Sequence, residues 1–243
     1  MRIIKILLIV QQMNKKIYIS LLLLFSFNVH AKTTVYSLPK AIHQQINNET
    51  AKQLRSDCEQ QHSPLNYTVY ALDKQLLLFV HLPDEACHAR SVLPVSFNQG
   101  QWQTGTVLES LPSALHSDAH KRLWLISHWE SEGVLPYLYS SLDGVHWQNI
   151  NLPDTKNVDC CFVYLKQLCV TPTELQIKLT GTDDINTQYW SSPIEKTVNW
   201  QTVTGLNACS NSELGFDDWQ QSTHGKNIWL ESKKRQLKLI LPR

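Results

Sequence analysis

The chain has 243 residues, a formal net charge of +1 and 42% hydrophobic residues, with 18% charged. That balance leaves no basic footprint for nucleic acid or anionic lipid. At this length one domain with a proper core is expected.

Residues 13–32 are laid out as an export signal. Met13-Asn14-Lys15-Lys16 is a short basic start. Ile17 to Phe27 is apolar apart from Ser20, Ser26 and the Tyr18 hydroxyl. Val29 and Ala31 then put small residues where a signal peptidase reads. The apolar stretch is too short for a spanning helix, which needs roughly 20 residues. Met1 to Gln12 fits badly ahead of this pattern, so the preferred start is Met13; the alternative is a long basic region. Residues 1–31 are read as a signal peptide and Lys32 as the mature start. Removing them takes away Arg2, Lys5, Lys15 and Lys16 and no acid, which leaves 18 basic against 21 acidic residues, a net −3. The mature chain is expected in the periplasm or secreted, with no membrane insertion.

All six cysteines lie in that mature part: Cys58, Cys87, Cys160, Cys161, Cys169 and Cys209. An even count in an exported chain reads as disulfides, and the sequence does not choose among the pairings. Loop closure favours Cys58 with Cys87. Cys160 and Cys161 are neighbours and cannot bridge each other without strain, so each is expected to reach Cys169 or Cys209. No C-x-x-C spacing points to zinc.

Leu38 to Gln60 reads as a helix, with Pro39 in a first turn and Ile42, Ile46 and Leu54 on one stripe. The segment 32–64 is therefore taken as an N-terminal helical segment, ended by His62-Ser63-Pro64. From residue 65 to the end the pattern is short strands separated by turns. They fall at 67–71, 75–82, 90–97, 102–108, 123–129, 137–141, 146–150, 161–170, 174–179, 188–192, 199–203, 227–231 and 236–241. Gln75 to Leu82 is too continuously apolar to be solvated on both faces. The class is all-β. Apolar strands centred near Leu78, Leu125 and Ile177 are each followed, 22 to 24 residues on, by Trp102-Gln103, Trp147-Gln148 and Trp200-Gln201. Those tryptophans are 45 and 53 residues apart, the period of a propeller blade of about four strands. A fourth pair, Trp219-Gln220, breaks the spacing. The expected fold is a propeller-like array of β-meander units; the alternative is a β-sandwich.

Within the second unit, Ser141, Asp143, Gly144 and Trp147 form S-x-D-G-x-x-W. Ser96-Phe-Asn98-Gln-Gly100-Gln-Trp102 is a second copy with Asn for Asp. Tyr189 to Trp200 keeps the Tyr/Ser start and the Trp but lacks the Asp-Gly turn. These segments resemble the Asp-box of the BNR repeats in sialidase-like β-propellers, over about residues 76–203. The resemblance implies a structural motif: the carboxylate accepts backbone N–H groups, Gly takes positive φ and Trp packs on the blade. It does not carry sialidase activity. That chemistry clamps a carboxylate with three arginines and uses a Tyr–Glu nucleophile pair and an acid Asp. The mature chain has only Arg55, Arg90, Arg122, Arg235 and Arg243, none in an Arg-Ile-Pro setting.

Other chemistry-bearing residues have plainer explanations. His116-Ser117-Asp118-Ala119-His120 has the i, i+4 histidine spacing of a metal site but no H-E-x-x-H glutamate, and reads as a surface connection. Asp73, Asp84, Glu85, Asp183, Asp184, Asp217 and Asp218 sit in turn-like contexts, though a glycosidase would draw a carboxyl pair from such residues. Trp129 and Trp219 lie beside acidic turns, so with Asp218 they are the expected ligand-binding residues, an aromatic face flanked by carboxylates. No metal, cofactor or catalytic set is indicated. The expected function is a non-catalytic extracytoplasmic binding protein for a protein or glycan; the alternative is a glycoside hydrolase.

Overall fold

The computed structural model describes residues 33–53, 65–72, 75–83, 89–128, 136–154, 163–182, 186–194, 199–209, 211–214 and 219–242. Helix α1 spans Lys40–Gln53, and the rest is strand and turn. Four sheets, each built on an antiparallel meander, follow one another. Sheet I holds β2 (Tyr67–Ala71), β3 (Gln75–Pro83), β4 (Ala89–Asn98) and β5 (Gln101–Thr104), with β6 (Leu108–Glu109) also pairing with β4. Sheet II holds β7 (Leu111–Ser117), β8 (Leu123–His128), β9 (Tyr137–Ser141) and β10 (Gln148–Ile150). Sheet III holds β11 (Tyr164–Val170), β12 (Glu174–Thr180), β13 (Gln188–Pro193) and β14 (Gln201–Val203). The short β15 (Ser212–Leu214) then returns to pair with β7. Sheet IV holds β16 (Trp219–His224), β17 (Asn227–Ser232) and β18 (Leu237–Pro242). Its fourth strand is β1 (Thr34–Ser37), from the other end of the described chain, parallel to β18. The fold is all-β, an array of four meander sheets rather than the two sheets of a sandwich.

The apolar strands cause this stacking because both of their faces are buried. On β3, Leu76, Leu78, Val80 and Leu82 face a core shared with sheet IV and α1, while Leu77 and Phe79 face a core shared with sheet II. On β8, Leu123 and Leu125 join that second core, and Trp124 and Ile126 face sheet III. A strand with period-2 alternation between two apolar cores is a continuous hydrophobic run in sequence. Ile42 and Ile46 of α1 complete the first core, as the thin stripe of that helix predicts. The expected residues beyond Gln53, including Leu54, fall outside those described.

The Trp-Gln period has a structural meaning. Trp102 lies in β5, Trp147 stands just ahead of β10, and Trp200 just ahead of β14, so each opens the fourth strand of its sheet. Trp219-Gln220 breaks the spacing because it opens β16, a first strand. The fourth strand of sheet IV comes from residues 34–37, which cannot carry the downstream pair.

Three expectations need correction. Strands β7, β15 and β16 were absent from the sequence-derived series. Residues 116–120 are not a surface connection throughout: His116 lies on β7 and is buried, as is Asp118. The N-terminal segment is not only helical, because β1 precedes α1.

Candidate functional site

The loop joining β9 to β10 is built around one carboxylate. Asp143 Oδ1 accepts from the backbone N–H of Val145 and of His146, each at 2.8 Å, and from the Ser141 hydroxyl at 3.0 Å. Asp143 Oδ2 meets His146 Nδ1 at 2.7 Å. The Ser141 Oγ in turn accepts from the Gly144 N–H at 2.9 Å. Burial opposes ionisation of Asp143, but the bonds from the His146 ring and N–H, the Val145 N–H and the Ser141 hydroxyl outweigh it and hold its carboxyl at about 2. Gly144 has φ +75°, and a Cβ there would strike Leu77 Cδ2 of sheet I. Trp147 donates its Nε1–H to the Gly144 carbonyl at 3.1 Å and leans on Phe79, with ring centroids 5.8 Å apart. Trp147 is half-buried.

The poorer copies of the motif use other means. Gln99 and Gly100 both have positive φ and close the β4–β5 hairpin as a two-residue turn. In the third copy, the Ser192 hydroxyl accepts from the Asn199 N–H at 2.9 Å.

A second carboxylate turn lies beside the first, in the stretch read from sequence as a surface connection. Asp118 Oδ1 accepts from the N–H of His120 at 2.9 Å and of Arg122 at 3.0 Å, and its Oδ2 accepts from Trp124 Nε1 at 3.0 Å. Its signal was an Asp two residues ahead of a turn, the usual Asx pattern. Arg122, fixed by this turn, carries its guanidinium 5.7 Å from the centroid of the Trp124 ring. Arg122 then meets the first loop: Arg122, Ser140, Ser141, Leu142, Asp143, His146, Trp147 and Gln148 line a groove of about 400 Å³. Leu142 is 73% exposed on its rim.

The inner strands are joined by Asn211. Its Oδ1 accepts from the Val170 N–H at 2.8 Å, and its Nδ2 donates to the Leu168 carbonyl at 3.1 Å and meets His116 Nδ1 at 3.2 Å. Burial pushes the His116 ring down from its ordinary value, against the nearby charge of Glu213. Two residues before Asn211, Cys209 is bridged to Cys169 of β11. This corrects the expected pairing, in which each of the two went to Cys160 or Cys161. Cys169 of β11 and Cys209 come together across 40 residues, a proximity no local spacing announces. Cys58, Cys87, Cys160 and Cys161 lie outside the described residues.

Of the residues expected to bind ligand, Trp129 and Asp218 also lie outside the described residues. Trp219 is half-buried and packs against the core between sheets I and IV. The seven carboxylates considered for a glycosidase pair, from Asp73 to Asp218, are likewise not described. Among the described residues no group of three His, Cys, Asp or Glu side chains is placed to hold a metal. No described helix is long and apolar enough to cross a membrane.

No family model and no curated protein matches this chain. Among solved structures it is similar to a GH32 beta-fructofuranosidase of Bombyx mori at 11% identity and a TM-score of 0.34. The similarity covers 79% of this chain and 48% of that one, so the chain spans about half the length of that enzyme.

Proposed function

We propose that this is an extracytoplasmic, non-catalytic binding protein whose ligand is a protein or a glycan. One observation carries the reading. Asp143 of the groove wall and Asp118, whose turn holds Arg122, are filled by donors of their own turns, while Leu142, His146 and Gln148 of the groove wall are exposed. Other described acids are also engaged: Glu109 with the Tyr137 hydroxyl at 2.8 Å, Glu174 with Gln176 at 2.8 Å and Glu231 with Lys238 at 2.8 Å. A carboxylate saturated by its own fold is a poor proton donor or nucleophile.

Export is supported by the signal-like start and by the Cys169–Cys209 bridge, which persists in an oxidising compartment. N-terminal sequencing of protein recovered outside the cytoplasm is expected to begin at Lys32; an intact Met1 or Met13 would reject this. The binding reading is tested by affinity electrophoresis through gels carrying soluble polysaccharides, by capture of extracytoplasmic proteins, and by an assay for reducing ends. Retention or capture without product release is the expected result. Release of reducing ends would reject it and make the protein a glycoside hydrolase.

A further inference from the structure

We propose that the groove over the Ser141–Trp147 loop binds an acidic saccharide, with Arg122 receiving its carboxylate. This rests on the binding-protein reading above and gives that reading a ligand class.

The charge argument starts at Arg122. Its backbone N–H is held by Asp118, so the base of the side chain is fixed. Its guanidinium forms no ion pair with a carboxylate among the described residues, and Asp118 is turned to Trp124 and to backbone donors. A planar cation in this position suits a carboxylate, which it can engage through two parallel N–H bonds. The acid in the groove wall, Asp143, does not compete for Arg122, because both its oxygens are occupied by Ser141, Val145 and His146.

The shape argument favours a sugar. Leu142 at 73% exposure and the half-buried Trp147 supply apolar surface, while the exposed Gln148 and the His146 ring supply polar groups beside it. The His146 side chain is 83% exposed, and its Nδ1 alone is taken by Asp143, which leaves Nε2 for a ligand hydroxyl. Pyranose rings present one apolar face and a rim of hydroxyls, the pattern such a wall matches. A volume of about 400 Å³ lies toward the small end of ligand sites. An extended peptide is the poorer fit. It would add to the sheet edge at β10, and that strand is only three residues long, Gln148–Ile150.

The test uses the whole mature, oxidised chain and calorimetric titration with trigalacturonate and with a hyaluronan tetrasaccharide, each beside its carboxyl-reduced counterpart. At least one acidic oligosaccharide is expected to bind, and its reduced counterpart at least tenfold more weakly. Arg122→Gln is expected to weaken binding tenfold or more at an unchanged melting temperature, and Arg122→Lys to retain part of it. Should Arg122→Gln fold poorly, the Arg122 side-chain N–H signal of the unmodified protein is expected to shift on titration. The proposal is overturned if neither acidic sugar binds, if the reduced sugars bind equally, or if Arg122→Gln or the Arg122 signal shows no effect. It is equally overturned if a peptide with a free C-terminal carboxylate binds more tightly than both sugars. Retention by a neutral glycan or capture of a protein, with acidic sugars inert, would reject this ligand class and leave the binding reading standing; release of reducing ends would reject that reading itself.

Discussion

The side-chain amide of Gln75 donates to the backbone carbonyl of Asp143 at 2.6 Å, so the first residue of β3 in sheet I holds the loop of sheet II. The same amide reaches Ser96 Oγ on β4 at 3.0 Å. The Asp143 carboxylate therefore organises its own loop, while its carbonyl locks that loop to the neighbouring sheet.

Asp143→Ala should cost stability by about 1 kcal/mol, the low end for backbone donors that lose a partner, because the side chain is 42% exposed and water replaces part of the loss. The sign with pH follows from the depressed folded-state value. The carboxylate stabilises the fold above its ordinary value of 3.8, and that contribution disappears as pH falls toward about 2. Melting curves of the parent and Asp143→Asn should differ at pH 6 and converge between pH 4 and pH 2. A gap that stays constant over this range would show that the charge of Asp143 is not stabilising.

Gly144→Ala should be more damaging than the loss of a side chain at Asp143. The added Cβ meets Leu77 Cδ2 and comes within 2.7 Å of Gln75 Nε2, on a backbone at positive φ. Denaturant unfolding should show a loss of more than about 1 kcal/mol. Gly100→Ala, whose Cβ would meet nothing within 4 Å, should cost less and serves as the control for φ alone.

Asn211→Ala should destabilise by about 1–3 kcal/mol, because the buried Val170 N–H and Leu168 carbonyl lose this partner at the junction of β7 and β11. Asn211→Asp keeps an acceptor for Val170 but faces the Leu168 carbonyl with a second acceptor, so it should not restore the parent midpoint. Urea midpoints of the two variants decide this.

Breaking the Cys169–Cys209 bridge with the Cys209→Ser variant should cost about 2–4 kcal/mol, as expected for a loop closed over a 40-residue separation. Peptide mapping under non-reducing conditions should recover the two cysteines in one linked pair. A linkage of either residue to Cys160 or Cys161 would overturn the arrangement of β11 and Cys209.

What the sequence determined by itself was whatever depends on near neighbours. The run at Gln75–Leu82 announced a strand not solvated on both faces and the run at Leu123–Trp129 a strand; that both faces of each are buried, because period-2 alternation sets them between two cores, is shown by the packing. The Trp-Gln spacing announced repeating units because one residue pair opens the same strand in three sheets. Ser141-x-Asp143-Gly144 announced a tight turn, because an Asx carboxylate and a positive-φ glycine act within four residues. Tertiary structure alone decided the rest. Strands β15 and β16 are polar, and β16 lies almost wholly in solvent, so neither has a hydrophobic period; pairing with β7 and β17 makes them strands. Residues 34–37 complete sheet IV from about 200 residues away, and Cys169 finds Cys209 the same way. The groove, too, exists only because the Asp118 and Asp143 turns, some 25 residues apart, are carried side by side on one sheet, and such proximity is a property of strand order rather than of local sequence.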